Sequence, residues 1–188
     1  QVAYEGEKAY AGTPSGIDNT AATYGGLMWF KKNLGGGQDK VEPLSIKEPV
    51  EIVIGSTGKV ANTKAMVEGV AERKNKDPQK YNPIFKRAEE LAYEGRAALE
   101  FYNLKKVGDL MNENHRLLQE IEVSSKELDL LVDLARNQGA IGAKLTGGGG
   151  GGCMVALTPG KELQGKVVAA FKTAGFEFLA TKIGVVTQ

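Results

Sequence analysis

The amino-acid sequence predicts an α+β fold in which helices pack on one sheet. Short apolar runs bounded by Gly or Pro, "GLMWFKK" and "PVEIVIG", predict strands in the first third of the chain. Long segments with apolar residues at helical spacing fill the middle. A strand–helix–strand pattern closes the chain, with strands predicted at "CMVALT" and "FEFLATKIG" around a helix over residues 161–174.

Composition restricts the classes of function. The 188 residues are 41% hydrophobic and 25% charged, which is enough for one domain with a sizeable core. Because 24 basic residues nearly balance 23 acidic ones, we expect no nucleic-acid or membrane partner. A single cysteine, Cys153, excludes an internal disulfide framework and fits a reducing compartment. No apolar window is long enough to span a bilayer, so a cytoplasmic location is expected.

The first elements are two short helices. Residues 2–10 read as a helix already under way, so we expect the chain to be the later part of a longer protein. A second helix is predicted from Ser15 to just before Gly25. Its start, "PSGID", suggests Ser15 as the N-cap and Asp18 at capping-box spacing. The same Asp18 is also a carboxylate held by a Pro/Gly turn, and local sequence leaves cap and catalyst open.

Four helices are predicted in the middle of the chain. The first, in "ANTKAMVEGVAERKNK", begins at a cap formed by Asn62 or Thr63. The next two lie in "NPIFKRAEELAYEGRAALEFY" and "KKVGDLMNENHRLLQEI", each with one apolar face. The fourth, in "SSKELDLLVDLARNQG", carries a capping box of Ser124 and Glu127. His115, the only histidine, lies on an apolar helix face and is expected to be a packing residue rather than a base.

The run "KLTGGGGGGC" is the strongest single feature of the sequence. Six consecutive glycines are entropically costly, by roughly 0.5–1 kcal/mol each relative to Ala in regular structure. One interpretation is a flexible connection. The other is a loop whose bare backbone approaches a ligand closely, with amide groups free to bind anionic oxygens. A flexible linker would more often contain Ser and would not directly precede an apolar strand.

A second glycine-containing stretch, "GSTGKVANTK", only superficially resembles a nucleotide-binding P-loop. That motif needs a Gly separated by four residues from its Gly-Lys pair and Ser or Thr after it, whereas this chain has Val53 and Val60. We interpret the stretch as a solvated loop and helix cap in preference to a binding segment. One Cys and one His cannot form a metal cluster or a nucleophile triad.

Four stretches together resemble a known family. "EGEKAYAGTPSGIDNTAATYGG", "STGKVANTKAMVEGV", "MNENHRLL" and "GAKLTGGGGGGC", in this order, are similar to mevalonate kinases, members of the galactokinase–homoserine kinase–mevalonate kinase–phosphomevalonate kinase (GHMP) superfamily. The resemblance covers almost the whole chain and corresponds to roughly the second half of the family protein. It implies a C-terminal domain over residues 49–188 with a mainly antiparallel, ferredoxin-like sheet. Residues 1–48 would end the N-terminal domain.

The resemblance also implies an activity and its residues. The reaction would be ATP-dependent phosphorylation of mevalonate to 5-phosphomevalonate, in the route to isoprenoids, with Mg²⁺. Asp18 would accept the substrate hydroxyl proton, Glu7 would bind Mg²⁺, and Asn62 and Thr63 would lie near mevalonate. ATP would contact the glycine loop through Gly147, Gly148, Gly149, Gly150 and Gly151.

Departures from the family pattern leave alternatives open. Ala11 and Thr13 replace a His and an Asn common before "PSG", and Gly148 replaces a common Ala. The family's phosphate-binding loop and N-terminal catalytic Lys are absent, so the isolated chain is expected to be inactive. Expected partners are mevalonate, ATP and the missing N-terminal half, with a homodimer left open. Alternatives are phosphomevalonate or homoserine kinase, or a non-catalytic ligand-binding or subunit-contact domain.

Overall fold

A computed structural model describes residues 15–33 and 35–184. In this part of the chain the helices are α1 (Ile17–Tyr24), α2 (Thr63–Lys76), α3 (Pro78–Glu100), α4 (Leu104–Glu120), α5 (Lys126–Asn137) and α6 (Lys161–Thr173). The strands are β1 (Met28–Lys31), β2 (Lys40–Pro43), β3 (Val50–Ser56), β4 (Gly142–Leu145), β5 (Cys153–Leu157) and β6 (Glu177–Ile183). The predicted helix over residues 2–10 lies outside the described residues.

The main sheet has four strands in the order β4-β5-β3-β6, and every neighbouring pair is antiparallel. Numbered from β3, this is the ferredoxin-like arrangement, in which the two outer strands are the second and the fourth. The mixed helix and antiparallel sheet architecture confirms the predicted fold class. Strands β1 and β2 form a separate two-stranded sheet.

One face of the main sheet packs against α5 and α6. Its core contains Val53, Ala143 and Met154 from the strands, with Leu131 and Phe171 from the helices. Since alternate strand residues point to opposite faces, Gly55 lies on the same face as Val53. A Cβ at Gly55 would lie 2.7 Å from the Phe171 ring, so the glycine lets α6 approach the sheet closely.

A second apolar cluster lies beneath the α3–α4 pair. It joins Val50, Ile52 and Leu157 of the sheet to buried residues of both helices, including Leu91 and Leu110. The α3–α4 pair therefore forms a second hydrophobic core with the sheet, in addition to the core formed by α5 and α6.

Helix α4 also covers the free edge of β4. The backbone amide of Ala143 donates to Asn112 Oδ1 (3.0 Å), and that of Leu145 donates to His115 Nδ1 (3.3 Å). Asn112 Nδ2 donates to the Ile141 carbonyl. The backbone groups at an exposed strand edge can pair with a further strand. Here side chains of α4 form hydrogen bonds with these backbone groups instead. Strand β4 leads directly into the glycine run, so α4 fixes the start of that loop.

The β1–β2 hairpin is fixed to α3 by aromatic and ionic contacts. The Trp29 and Tyr93 rings have centroids 5.1 Å apart, and Arg96 lies over the Trp29 ring. Arg96 also pairs with Glu42 at 2.6 Å. No helix within the described residues is long and apolar enough to cross a membrane.

Two predicted helix caps were wrong by one residue. The N-cap of α1 is Gly16 in the left-handed conformation. Ser15 precedes this cap, and its hydroxyl accepts from the amide of Ile17, the first residue of α1. For α5 the cap is Ser125, which accepts from Leu128, and Ser124 donates to Asp129 instead. Neighbouring serines and glycines offer alternative starts, and tertiary contacts select between them. The predicted Asn62 cap of α2 is confirmed, since its side chain accepts from Ala65.

Candidate active site

The glycine loop, residues 146–152, connects β4 to β5 and is closed at both ends by hydrogen bonds. At its base the Thr146 amide donates to the Cys153 carbonyl (2.9 Å). The Gly152 carbonyl accepts from both the amide and the hydroxyl of Thr57, and the Gly152 amide donates to Lys59. The Gly150 amide donates to the Val123 carbonyl at 2.7 Å. The loop is therefore a folded element, which contradicts the flexible-connection interpretation.

Glycine is required at several loop positions for steric reasons. A Cβ on Gly149 would overlap the Val123 carbonyl oxygen, and one on Gly148 would lie 2.8 Å from the Thr63 methyl carbon. Gly149 and Gly150 also have φ of +80° and +75°, which favour glycine. The close contacts place the loop directly against the N-terminus of α2 and the connection between α4 and α5.

Backbone donors at the outer side of the loop remain available. Within the described part of the chain, the amides of Gly147 and Gly148 donate to no acceptor. Gly147 is exposed, and Gly148 lies beside Thr63, the first residue of α2. A helix N-terminus carries partial positive charge and free amides. The loop and the start of α2 together form a site suited to anionic oxygens.

An apolar cavity opens next to these donors. It has a volume of about 390 Å³ and is lined by residues of α2, α3 and α4, with Gly147 and Gly148 at its border. Met66, Val70, Phe85 and Leu118 are among its walls. A ligand with an apolar body in this cavity would have its edge at the free amides of the loop.

The two residues expected near mevalonate lie at the start of α2. Thr63 is exposed, and its side chain faces Gly148. The Asn62 side-chain oxygen accepts from the Ala65 amide, so this group caps the helix. The structure thus brings Thr63 and the glycine loop together, while Asn62 has a structural function that the sequence also predicted.

Asp18 lies in the first turn of α1 and is exposed. Within the described residues no hydrogen bond or ion pair joins it to the glycine loop or to Thr63. Glu7, the expected Mg²⁺ ligand, lies outside the described residues. No group of three or more His, Cys, Asp or Glu side chains in ranges 15–33 and 35–184 is arranged to hold a metal ion.

Sequence reasoning missed the residues that support the loop. Thr57 and Lys59 belong to the stretch interpreted as solvated, yet both hydrogen bond to Gly152. Lys59 also pairs with Glu127 of α5 at 2.6 Å, and this hydrogen bond lowers the pKa of the Glu127 carboxyl. The polar side chains of Thr57 and Lys59, and their position after a strand, could have indicated a structural role. Their partner Gly152 could not be found from local sequence, because it lies 95 residues away from Thr57.

His115 is a packing residue, as predicted. Its side chain is buried, and Nδ1 accepts from the Leu145 amide. Nε2 lies 3.2 Å from Asp129 Oδ1. Burial, together with the charge of Arg136, lowers the pKa of His115 despite the nearby carboxylate. The neutral ring supports β4 and is not placed to act as a catalytic base.

Residues 96–177 match the family model described as GHMP kinases C terminal. This stretch runs from α3 to the start of β6 and includes the entire glycine loop. Over these residues the chain is similar to the C-terminal region of GHMP kinases. Its antiparallel sheet and flanking helices agree with that similarity.

Curated relatives of this chain include mevalonate kinases. It is 42% identical over 177 residues to the mevalonate kinase of Pyrococcus horikoshii, covering 92% of this chain and 50% of the relative. With that of Arabidopsis thaliana the identity is 31% over 189 residues, covering 97% and 48%. The chain therefore spans about half the length of the curated relatives it matches.

Solved structures of mevalonate kinases are also similar to this chain. The mevalonate kinase of L. major in complex with R-mevalonate superimposes with a TM-score of 0.89 at 33% identity, over 97% of this chain and 56% of that one. The Methanococcus jannaschii mevalonate kinase gives 0.76 at 27% identity, over 96% and 54%. A Streptococcus pneumoniae phosphomevalonate kinase, at 19% identity and a TM-score of 0.67, shares the fold alone.

Proposed function

We propose that this chain serves as the C-terminal part of a mevalonate kinase, which transfers the γ-phosphoryl group of ATP to mevalonate and forms 5-phosphomevalonate. The observation that carries the proposal is the glycine loop, closed by hydrogen bonds and presenting the Gly147 and Gly148 amides beside the N-terminus of α2. The similarity to mevalonate kinases favours mevalonate as the substrate within the superfamily.

In this proposal the glycine loop binds the phosphates of ATP. Gly147 and Gly148 donate their free amides, while Gly149, Gly150 and Gly151 let the backbone pass close to α2 and its neighbours. ATP supplies the transferred phosphoryl group. Phosphoryl transfer depends mainly on positioning and on neutralising charge, and a preformed loop provides both without reorganisation.

Asp18 and Thr63 are proposed to act on mevalonate. The Asp18 carboxylate, in the first turn of α1, would accept the proton of the substrate hydroxyl. Thr63, with Asn62 holding the helix start, would border the substrate. Glu7 would bind Mg²⁺, since one carboxylate with phosphate oxygens and water suits this ion. Residues 1–48 would belong to the N-terminal domain and 49–188 to the C-terminal one.

A joined protein tests the proposal. This chain would be fused after the N-terminal half of the Pyrococcus horikoshii mevalonate kinase, and ADP release would be measured with mevalonate, phosphomevalonate and homoserine. We expect turnover with mevalonate to exceed the other two at least tenfold, and the chain alone to stay near background. Equal or higher turnover with phosphomevalonate or homoserine would refute the substrate assignment. A cytoplasmic location is part of the proposal, consistent with the single unpaired Cys153.

A further inference from the structure

A second cavity lies away from the glycine loop, between the β1–β2 hairpin and the α3–α4 pair. Its volume is about 320 Å³, within the range of small-ligand sites. Its walls are mainly apolar and include Trp29, Leu91, Leu99, Val107 and Met111. At about 30 Å³ per water-sized group, it has room for about ten such groups.

Lys144, from the middle of β4, is among the residues that line this apolar space. Its Nζ donates to the carbonyl of the adjacent Leu145 at 2.7 Å. Among the residues that the structure describes, the lining includes no Asp or Glu. The other cation in the lining, Arg96, is already paired with Glu42 and Glu100. Lys144 is therefore a cation without a carboxylate partner among the described residues around it.

Because Lys144 is largely buried, the lack of a partner for its charge is energetically unfavourable. Burial lowers the pKa of its amine to about 8, and no carboxylate counteracts that effect. A buried charge is normally compensated by an opposite charge. A ligand that brings one negative charge into the cavity would supply the missing partner.

We propose that this cavity binds a small amphipathic carboxylate, whose negative group pairs with Lys144 and whose hydrocarbon part fills the apolar walls. The volume matches a chain of about eight carbons, such as octanoate, which has ten heavy atoms. A neutral alcohol of the same length leaves the ammonium unpaired. A diphosphate brings more negative charge than one lysine balances. This site does not depend on the kinase activity proposed above.

Trp29 provides a direct probe, because it is the only tryptophan of the chain and lines the cavity. Its fluorescence would be followed in the 188-residue chain during titration with octanoate or with octanol at pH 7. We expect octanoate to bind at least tenfold more tightly than octanol. Equal affinities, or no fluorescence change with either compound, would overturn the proposal.

The pH dependence sharpens the test. Between pH 7 and pH 9 octanoate stays ionised, while an amine with a pKa of about 8 loses most of its charge. Two described groups near Lys144 keep their charge over this range: Arg96 stays cationic, and His115, with its lowered pKa, stays neutral. We expect octanoate affinity to fall about tenfold and octanol affinity to stay constant. Octanoate affinity that does not change with pH would contradict pairing with Lys144.

Three variants assign the effect to one side chain. Lys144→Met keeps the length and apolar stem and should remove the preference for octanoate, whereas Lys144→Arg should retain it at pH 9. Lys105→Met removes an exposed lysine of α4 and should behave like the wild type. A Lys144→Met variant that still binds octanoate tenfold better than octanol would refute the proposal.

Discussion

The glycine loop and helix α1 differ in how the rest of the molecule holds them. The loop is bound through Thr57, Lys59 and Val123, and several of its positions have no space for a Cβ. Helix α1 has no buried residue, and its N-cap, Gly16, has no side chain to cap the helix. The phosphate-binding part of the proposed site is therefore built by this domain, whereas Asp18 would need further contacts to be held in place. We therefore expect substitutions in the glycine loop to lower the stability of the protein, and substitutions in α1 to lower its catalytic activity.

The largest expected effect is on catalysis, from Asp18→Asn. Asn cannot accept the hydroxyl proton, so kcat of the joined protein should fall by roughly 10²–10⁴-fold. The melting temperature should change little, because the side chain is exposed. Steady-state kinetics and thermal unfolding would be measured on the same preparations.

Glu162→Gln is the matched control for that variant. It removes an exposed carboxylate from the first turn of α6 and should leave kcat unchanged. If kcat of the Asp18→Asn variant equals that of the wild type, Asp18 has no catalytic role and is only a residue at the helix terminus.

Within the loop, Gly149→Ala should be much more destabilising than Gly147→Ala. Both glycines have positive φ, which costs an alanine about 1–2 kcal/mol. Gly147 faces open space, whereas a Cβ on Gly149 would overlap the Val123 carbonyl. Overpacking adds about 1–3 kcal/mol at Gly149. Urea unfolding of the two variants measures the difference, and equal losses would show that the loop is less tightly packed than described.

The support of β4 by His115 predicts a pH effect on stability. The pKa of His115 is lowered in the folded chain, so below about pH 6.5 the unfolded chain takes up a proton that the folded chain does not. The stabilisation provided by the neutral ring is therefore present above that pH and is lost as pH falls toward the folded pKa.

His115→Gln removes this group, and the carboxylates are common to both proteins. We expect the difference in unfolding free energy between wild type and variant to shrink from pH 7.5 to pH 5.5. A difference that stays constant or grows would show that protonation of His115 is not opposed by folding.

The smallest expected contrast compares two serines at helix starts. Ser125 caps α5, so Ser125→Ala should cost about 1 kcal/mol of unfolding free energy. Ser15 lies outside the α1 cap, and within residues 15–33 and 35–184 its hydroxyl accepts only from Ile17. Ser15→Ala should change stability by less than about 0.5 kcal/mol. Chemical denaturation resolves the two values, and a larger loss at Ser15 would mean that α1 is held more firmly than its contacts indicate.

Much of the fold could be predicted because local patterns determine it. Helical spacing located α2 to α6, and the strands β3, β5 and β6 were recognisable as apolar runs between turn residues. Strand β4 was missed, since its four residues "GAKL" carry a weak local signal. Pairing with β5 and the side chains of Asn112 and His115 stabilise it, and those contacts are remote in sequence.

Part of the candidate site could also be predicted from the sequence. The glycine run marked the loop by composition, but local sequence could not distinguish a folded loop from a flexible one. That distinction depends on the Val123 and Lys59 carbonyls, which accept from Gly150 and Gly152. The roles of Asp18 and Glu7 stay predictions based on resemblance.

The most direct test of the central claim is a measurement of glycine amide chemical shifts by NMR. The joined protein would carry ¹⁵N-glycine and be titrated with a non-hydrolysable ATP analogue and Mg²⁺. If the closed loop presents free amides to the phosphates, the Gly147 and Gly148 signals should move strongly. Signals of Gly150 and Gly152, already bonded to Val123 and Lys59, should move little. Unchanged Gly147 and Gly148 signals at saturating nucleotide would contradict the account.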